Sequence, residues 1–146
     1  MLTKRVAERE SLAVAEIDKN KHLSRITIVT KGTPQVIEQI KLQLGKLIPV
    51  HKVADFLRND PEILFRELAL FKLTGSLAKL NKAKKLCKTF NGLVLDKTKK
   101  SFVIQVTALR REIDKLTLTL KPLGLISVSR TGAVAMTRGE EIFIQN

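Results

Sequence analysis

The stretch over residues 65–129 decides the fold: FRELALFKLTGSLAKLNKAKKLCKTFNGLVLDKTKKSFVIQVTALRREIDKLTLTLKPLGLISVS. Segments in which apolar and polar residues alternate, as in strands, are separated by segments whose apolar residues recur every three or four positions, as in helices. Strands are predicted at 65–73, 92–96, 101–107 and 125–129. With one helix after the first strand and one after the third, the order predicts an α+β domain with an antiparallel sheet and both helices on one face.

Turn and cap residues support the two helices of this stretch. Ser76 stands where it can cap the first helix, which the pair Asn91-Gly92 closes. Pro122 and Gly124 end the second helix, because proline cannot continue a helix and glycine adopts the left-handed turn that follows. The apolar faces are predicted to contain Leu77, Leu80, Ala83, Cys87 and Phe90 in the first helix, and Leu109, Ile113, Leu116 and Leu120 in the second.

The first half of the chain carries part of the same pattern. Alternating segments at 11–17 and 23–30 predict a hairpin, and Thr33 followed by Pro34 predicts the start of a helix. A returning strand is predicted at 48–56. The face of the predicted helix contains Val36, Ile37, Ile40, Leu44 and Leu47.

The two halves align when the sequence is shifted by 76 residues, from Ile37 to Ile113 and from Leu44 to Leu120. In this register the first half lacks an opening strand and most of its first helix. We therefore predict tandem ferredoxin-like plaits: a partial plait over 1–58, a linker over 59–64 and a complete plait over 65–146.

Composition limits the classes of protein to consider. The chain has 146 residues, of which 44% are apolar and 28% charged, so it can form one domain or two small ones. Its single cysteine, Cys87, excludes an internal disulfide. The N-terminal residues have no signal-peptide core and no segment approaches the ~18 apolar residues that span a bilayer. We expect a protein of the cytoplasm or the plastid stroma that has no secretory signal and does not associate with a membrane.

The histidines and the cysteine of the chain do not have the sequence spacing of a catalytic or metal-binding site. His22 and His51 are the two histidines, and neither has a carboxylate or a cysteine at the spacing of a catalytic triad or a metal site. Cys87 falls on the apolar face of a helix, where thiols are usually inert. The sequence predicts no catalytic residue and no metal site.

The net charge of +13 keeps a nucleic-acid-binding function open. Lysines of the second half could form a positive patch: Lys82, Lys84, Lys85, Lys88, Lys97, Lys99 and Lys100. However, a plait that binds RNA stacks bases on aromatic residues of its central strands, and the segment SFVIQVT offers Phe102 alone. A basic ferredoxin-like nucleic-acid-binding protein is therefore the alternative, and nucleic acid is not the expected partner.

Three segments resemble the small regulatory subunits of acetolactate synthase, also called acetohydroxyacid synthase. They are ESLAVAEIDKNKHLSRITIVTKGTPQVIEQIKLQLGKLIPVHKVAD, then RELALFKL, and the closing ISVSRTGAVAMTRGE, of which RTGAVAMTRGE is the most specific. The resemblance implies an N-terminal ACT domain, which is a ferredoxin-like plait, and a second plait. It implies a non-catalytic subunit that pairs as a homodimer and activates a separate catalytic subunit in branched-chain amino acid biosynthesis, under feedback by an amino acid, usually valine. Thiamine diphosphate, Mg²⁺ and FAD would belong to the catalytic subunit.

The chain departs from the family at the effector site. The family holds the effector in a loop of the ACT domain and follows it with a Gly-x-Asn segment, and in this register Val6 takes the place of the glycine and Glu8 that of the asparagine. A carboxylate at position 8 repels the carboxylate of an amino acid. The effector-binding residues are therefore unknown, and we expect a weak or absent response to valine.

Polar residues within the family-like segments are the candidates for contact with the catalytic subunit. They are Arg25, Arg130, Thr131 and Arg138, since arginine forms planar, bidentate contacts with carboxylates. An intramolecular salt bridge or a solvated side chain is the alternative for each. Gly132 and Gly139 allow the backbone of the closing segment to pack closely against a neighbouring strand.

Overall fold

The computed structural model describes residues 8–47, 49–50, 52–54, 56 and 61–140. Three α-helices and seven strands lie in this part of the chain, together with one short 3₁₀ turn. Their bounds are β1 Glu8–Asp18, β2 Leu23–Lys31, α1 Pro34–Gly45, β3 Ile63–Thr74, α2 Leu77–Lys88, β4 Leu93–Lys97, β5 Ser101–Ala108, α3 Arg110–Leu120, the 3₁₀ turn Lys121–Leu123, β6 Leu125–Arg130 and β7 Val134–Thr137.

The second half forms the predicted ferredoxin-like plait. Its antiparallel strands stand in the order β4-β5-β3-β6, with β3 and β5 in the centre. The strand that opens the plait therefore lies between the third and the fourth, which is the arrangement that two interleaved βαβ units produce. A further strand, β7, pairs with β3. The predicted α+β fold is confirmed.

The core of the plait comes from alternate residues of the central strands. On β3 the fully buried side chains are Ala69, Phe71 and Leu73, and on β5 they include Phe102 and Ile104. Helices α2 and α3 cover this face of the sheet with the apolar residues predicted for it, namely Leu80, Ala83, Cys87, Ile113, Leu116 and Leu120. Each large apolar side chain buried in this way contributes about 1.5 to 3 kcal/mol.

The helix ends follow from the cap residues. Ser76 Oγ accepts the Lys79 N–H at 3.4 Å at the start of α2, and Thr33 Oγ1 accepts the Val36 N–H at 3.3 Å at the start of α1. These bonds satisfy amide groups that have no partner within the helix. Leu77 is a correction to the predicted apolar face: it is 55% exposed, because it occupies the first position of α2, before the turns that lie on the core.

The first half forms a hairpin and a helix. Strands β1 and β2 pair antiparallel, with Val14 opposite Ile26. Ile40 is the buried residue of α1, while Leu47, predicted on the same face, is 47% exposed because it lies beyond the end of the helix. The predicted lack of an opening strand and first helix falls on residues 1–7, outside the described residues.

The strand predicted at 48–56 is wrong for the part of it that the structure describes. Residues 49–50, 52–54 and 56 form a turn and irregular backbone. The fourth strand of a plait pairs with the first, and the described residues of this half contain only β1 and β2 as strands, so this segment has no neighbour to complete its hydrogen bonds.

Contacts within the chain divide it into two compact units. One consists of Met1–Leu64 with Ala135–Asn146 and the other of Phe65–Val134. The domain bounds predicted from the sequence, 1–58, 59–64 and 65–146, stay a prediction. The repeat is visible in the structure, because shifting the bounds of α1 by 76 residues gives 110 and 121, against Arg110–Leu120 for α3.

Candidate functional site

The end of β6 carries an ion-pair network. Arg130 lies opposite Ala69 of β3, so it stands on the face of the sheet that α2 and α3 cover. Its Nε donates to Glu67 Oε1 at 2.7 Å, its Nη2 donates to Glu67 Oε2 at 3.0 Å, and its Nη1 donates to Asp114 Oδ1 of α3 at 2.6 Å. One guanidinium thus links β3, β6 and α3.

Glu67 explains why this network matters. Its side chain is 3% exposed, and a buried carboxylate requires a charged or hydrogen-bonding partner. The hydrogen bond to Glu67 raises the pKa of Arg130 above its ordinary value, against the lowering effect of burial, and the bond to Asp114 raises it further. Arg130 therefore remains charged, as the buried carboxylate requires.

Thr131 fastens the chain after β6 to β3. Its N–H donates to the Leu68 carbonyl at 3.1 Å, and its Oγ1 accepts the Leu68 N–H, also at 3.1 Å. The same hydroxyl donates to the Gly132 carbonyl at 2.8 Å. Gly132 follows with φ 82, a left-handed conformation that glycine adopts without strain. The small residues of the closing motif thus allow a tight turn against β3.

Arg138 holds the other end of the closing motif. Its N–H donates to the Glu62 carbonyl at 2.8 Å, and its Nε donates to the Pro61 carbonyl at 2.8 Å, immediately before β3 begins. The residues between these attachments include β7. The motif RTGAVAMTRGE is therefore a strap that runs beside β3, held by Arg130, Thr131 and Arg138.

The four residues predicted for partner contact have different surroundings. Arg130, Thr131 and Arg138 hold the strap, and each makes intramolecular hydrogen bonds. Arg25 belongs to the first unit, where it is half-buried on β2 opposite Ala15. Contact of these four with a catalytic subunit stays a prediction. Glu8 opens β1, and its side chain lies outside the described residues.

Two features of the site were missed in the sequence. Glu67 occupies the same face of β3 as Ala69 and Phe71, so an acidic residue at an apolar position of the alternation was the signal of a buried ion pair. β7 has four residues, too few for the alternation to stand out.

His22 and Cys87, the described residues that were considered for catalysis, belong to different units. His22 is exposed in the β1–β2 turn with φ 50, and His51 is outside the described residues. Cys87 is buried in the core, and this burial raises the pKa of its thiol to about 11, so the reactive thiolate is disfavoured. Within the described ranges, no group of three or more His, Cys, Asp or Glu side chains is placed to hold a metal ion.

The nucleic-acid alternative was based on the positive charge, and Phe102 was the one aromatic residue of the segment SFVIQVT that could stack on a base. Its ring is fully buried against the helices, so it cannot stack on a base from solvent. A membrane was not expected, and the helices that the structure describes include none with the length and apolar content needed to cross one.

Comparison with known proteins gives consistent results. A family model described as the small subunit of acetolactate synthase matches residues 66–139. The acetolactate synthase small subunit of Haemophilus influenzae is 34% identical over 142 residues, which cover 97% of this chain and 85% of that protein. The Bacillus subtilis small subunit is 35% identical over 143 residues, covering 97% of this chain and 81% of that protein.

Solved structures extend the likeness to the backbone. The crystal structure of the acetolactate synthase small subunit from Thermotoga maritima superposes with a TM-score of 0.82 and 29% identity, over 96% of this chain and 86% of that one. The resemblance drawn from the sequence motifs is thereby confirmed, and the chain belongs to the family of acetolactate synthase small subunits.

Proposed function

We propose that this chain is a non-catalytic regulatory subunit that binds and activates an acetolactate synthase catalytic subunit in the biosynthesis of valine, leucine and isoleucine. The observation that carries the proposal is the extent of the likeness, which covers both units of the chain. A ferredoxin-like plait alone would say little, because that fold serves many unrelated functions.

Activation by a subunit without an active site has one physical basis. The subunit must bind the active conformation of its partner more tightly than the inactive one, because only a difference in affinity shifts such an equilibrium. A rigid surface favours such a difference, because it does not adapt its shape to the inactive conformation, and it also loses little conformational freedom on binding. The strap supports the proposal, because Arg130 and Thr131 fix it to β3 through side-chain and backbone bonds.

The effector response is proposed to be weak. Glu8 stands where the family places an asparagine, and its carboxylate opposes the binding of an amino acid carboxylate. The catalytic subunit would hold thiamine diphosphate, Mg²⁺ and FAD, and this chain would contribute none of their ligands. Association of two copies of the chain belongs to the same proposal.

Reconstitution tests the proposal. The purified chain is added to the catalytic subunit from the same source, and acetolactate formation is followed with and without valine. Poly-lysine of matched charge is the control for a nonspecific effect of a polycation. We expect the chain alone to raise the rate, and valine to reverse little of this increase. Failure to form a complex or to change the rate would refute the proposed function, while strong inhibition by valine would refute only the weakened response.

A further inference from the structure

The solvent-facing side of α2 is strongly basic. Lys79, Lys82, Lys84, Lys85 and Lys88 are all exposed, and the helix contains no acidic residue. The opposite side of α2 is buried on the sheet through Leu80, Ala83 and Cys87. Leu77, Ala78 and Asn81 are exposed as well, so lysine is the only charged residue type on the accessible side of this helix.

Three further lysines extend this surface at the β4–β5 turn. The Gly75 N–H donates to the Lys100 carbonyl at 3.0 Å, which places the turn beside the start of α2. Lys99 and Lys100 line an open cavity of about 640 Å³ together with Ser76 and Leu77. Lys97 Nζ lies 5.5 Å from the centre of the Phe102 ring, on the side of the sheet that α2 covers. We call these three and the five lysines of α2 the lysine face.

No acidic side chain of the described residues neutralises the lysine face. Ion pairs of the described residues include those of Lys41 with Glu38 and of Arg130 with Glu67 and Asp114, and none of the eight lysines of the face takes part in one. Asp96 is near in sequence, but it pairs across the strands with Val103, between the buried residues of β5, so it points to the other face of the sheet.

The arrangement of these lysines destabilises α2. Lys82 is three positions from both Lys79 and Lys85, and Lys88 is three and four positions from Lys85 and Lys84. Like charges at these spacings repel one another along a helix. An acidic partner surface would relieve this repulsion and gain from the positive potential.

We propose that the lysine face docks on an acidic surface of the acetolactate synthase catalytic subunit. The inference rests on the proposed function and adds to it the location and chemistry of one contact. Among anionic partners, the structure favours a folded protein. RNA would need exposed aromatic residues, and Phe102 is buried; a lipid surface would need the apolar side of α2, which the core already occupies.

The test compares two variants with equal net charge. K82E/K84E/K85E reverses three charges on the lysine face. K19E/K46E/K115E reverses three exposed lysines that lie in the β1–β2 turn, after α1 and on α3. A third variant, K82Q/K84Q/K85Q, removes the positive charges without adding negative ones. Thermal unfolding of all three, compared with the original chain, shows that each is folded before it is used.

Binding to the catalytic subunit is measured by titration between about 0.05 and 0.3 M NaCl, where the range of charge interactions shortens from beyond 10 Å to well below it. At low salt we expect K82E/K84E/K85E to weaken binding by about tenfold or more, K82Q/K84Q/K85Q by less, and K19E/K46E/K115E by under about threefold. The difference between the first and last variants should shrink as salt rises.

Any other result would contradict the inference, and each of these results has a distinct meaning. Equal loss in both charge-reversal variants would mean that net charge acts without a docking site, and no loss in either would place the contact elsewhere, with the proposed function intact in both cases. Binding of the original chain to poly(U) RNA or phosphatidylglycerol vesicles, lost in K82E/K84E/K85E while subunit binding persists, would assign the face to those ligands. Absence of binding by the original chain would refute both proposals.

Discussion

Arg130 holds both carboxylate oxygens of Glu67, with Nε 2.7 Å from Oε1 and Nη2 3.0 Å from Oε2. The two residues lie 63 positions apart in the sequence, and their bond joins the last strand of the plait to its first. Because Glu67 is buried in the plait, its bond to Arg130 fixes the start of the strap. The alternation along β3 indicates that Glu67 is buried, but no pattern in the sequence indicates that Arg130 is its partner.

Loss of Arg130 is expected to destabilise the second unit. R130A leaves the Glu67 carboxylate buried without its charged partner, and the free energy of unfolding should fall by about 3 kcal/mol. R130K should recover part of this, because lysine supplies the charge without the planar pair of donors. Urea unfolding at neutral pH measures both variants.

The matched control for this prediction is D114N. Asp114 is half exposed, and its bond to Arg130 is one of three, so the variant should lose under about 1 kcal/mol. If R130A and D114N cost the same, or if R130A costs nothing, the buried pair does not stabilise the unit as argued.

The complete plait could be predicted because its signals are local. Alternation along β3 and β5, the cap residue Ser76 and the glycine turn at Gly124 each depend on neighbours in the sequence, and the helix α3 was recognised twice, through its own period and through its repeat in α1. Local propensity and fold agree here, which is when sequence patterns predict best.

The parts that could not be predicted depend on distant partners. A strand at 48–56 needs a neighbouring strand that the described residues of the first half do not provide. The strap around Thr131 depends on backbone bonds to Leu68, and Glu67 depends on Arg130; such pairings become visible only once β3 and β6 stand side by side. The lysines of a basic surface can be listed from the sequence, but the partner that such a surface binds is a second molecule and has no local signal.

Thr131 allows stability and partner binding to be separated. T131V keeps the shape of the side chain but removes the acceptor of the Leu68 N–H, so unfolding should become easier by about 1 kcal/mol, whereas T131S should change little. The affinity for the catalytic subunit is measured for both variants. A loss of affinity in T131V much larger than its loss of stability would support direct contact of the closing motif with the partner; equal affinities would limit Thr131 to holding the strap.

Gly124 is expected to tolerate no side chain. Its φ is 99, and a Cβ built there would overlap the Thr74 carbonyl oxygen, which belongs to the backbone of β3 and cannot move aside. G124A should therefore lower the free energy of unfolding by more than the roughly 1 kcal/mol of left-handed strain alone, by about 2 to 4 kcal/mol. Thermal unfolding monitored by circular dichroism measures this.

G139A provides the comparison for that variant. Gly139 also has a positive φ, 70, but a Cβ there meets no atom of the described residues within 4 Å, so we expect only the backbone strain to appear. Similar losses in G124A and G139A would show that the overlap with Thr74 is relieved by a small shift of the 3₁₀ turn before β6.

Cys87 should lower the stability of the second unit at alkaline pH. Burial raises its pKa from an ordinary value of 9.0 to about 11 in the folded chain, so the buried neutral thiol contributes its full stability below about pH 9 and loses it as the pH rises through about 11. The sign follows from proton binding, because in this interval the folded state holds the proton and the unfolded state releases it. Unfolding is therefore increasingly favoured.

C87A isolates this effect from the titration of the many lysines. The difference in unfolding free energy between the original chain and C87A, measured in urea under reducing conditions, should stay constant up to about pH 8 and then shift by about 2 kcal/mol in favour of C87A by pH 11. A difference that stays constant across this range would mean that the thiol ionises as readily in the folded chain as in the unfolded one, and the packing of Cys87 between α2 and the sheet would have to be looser than its burial indicates.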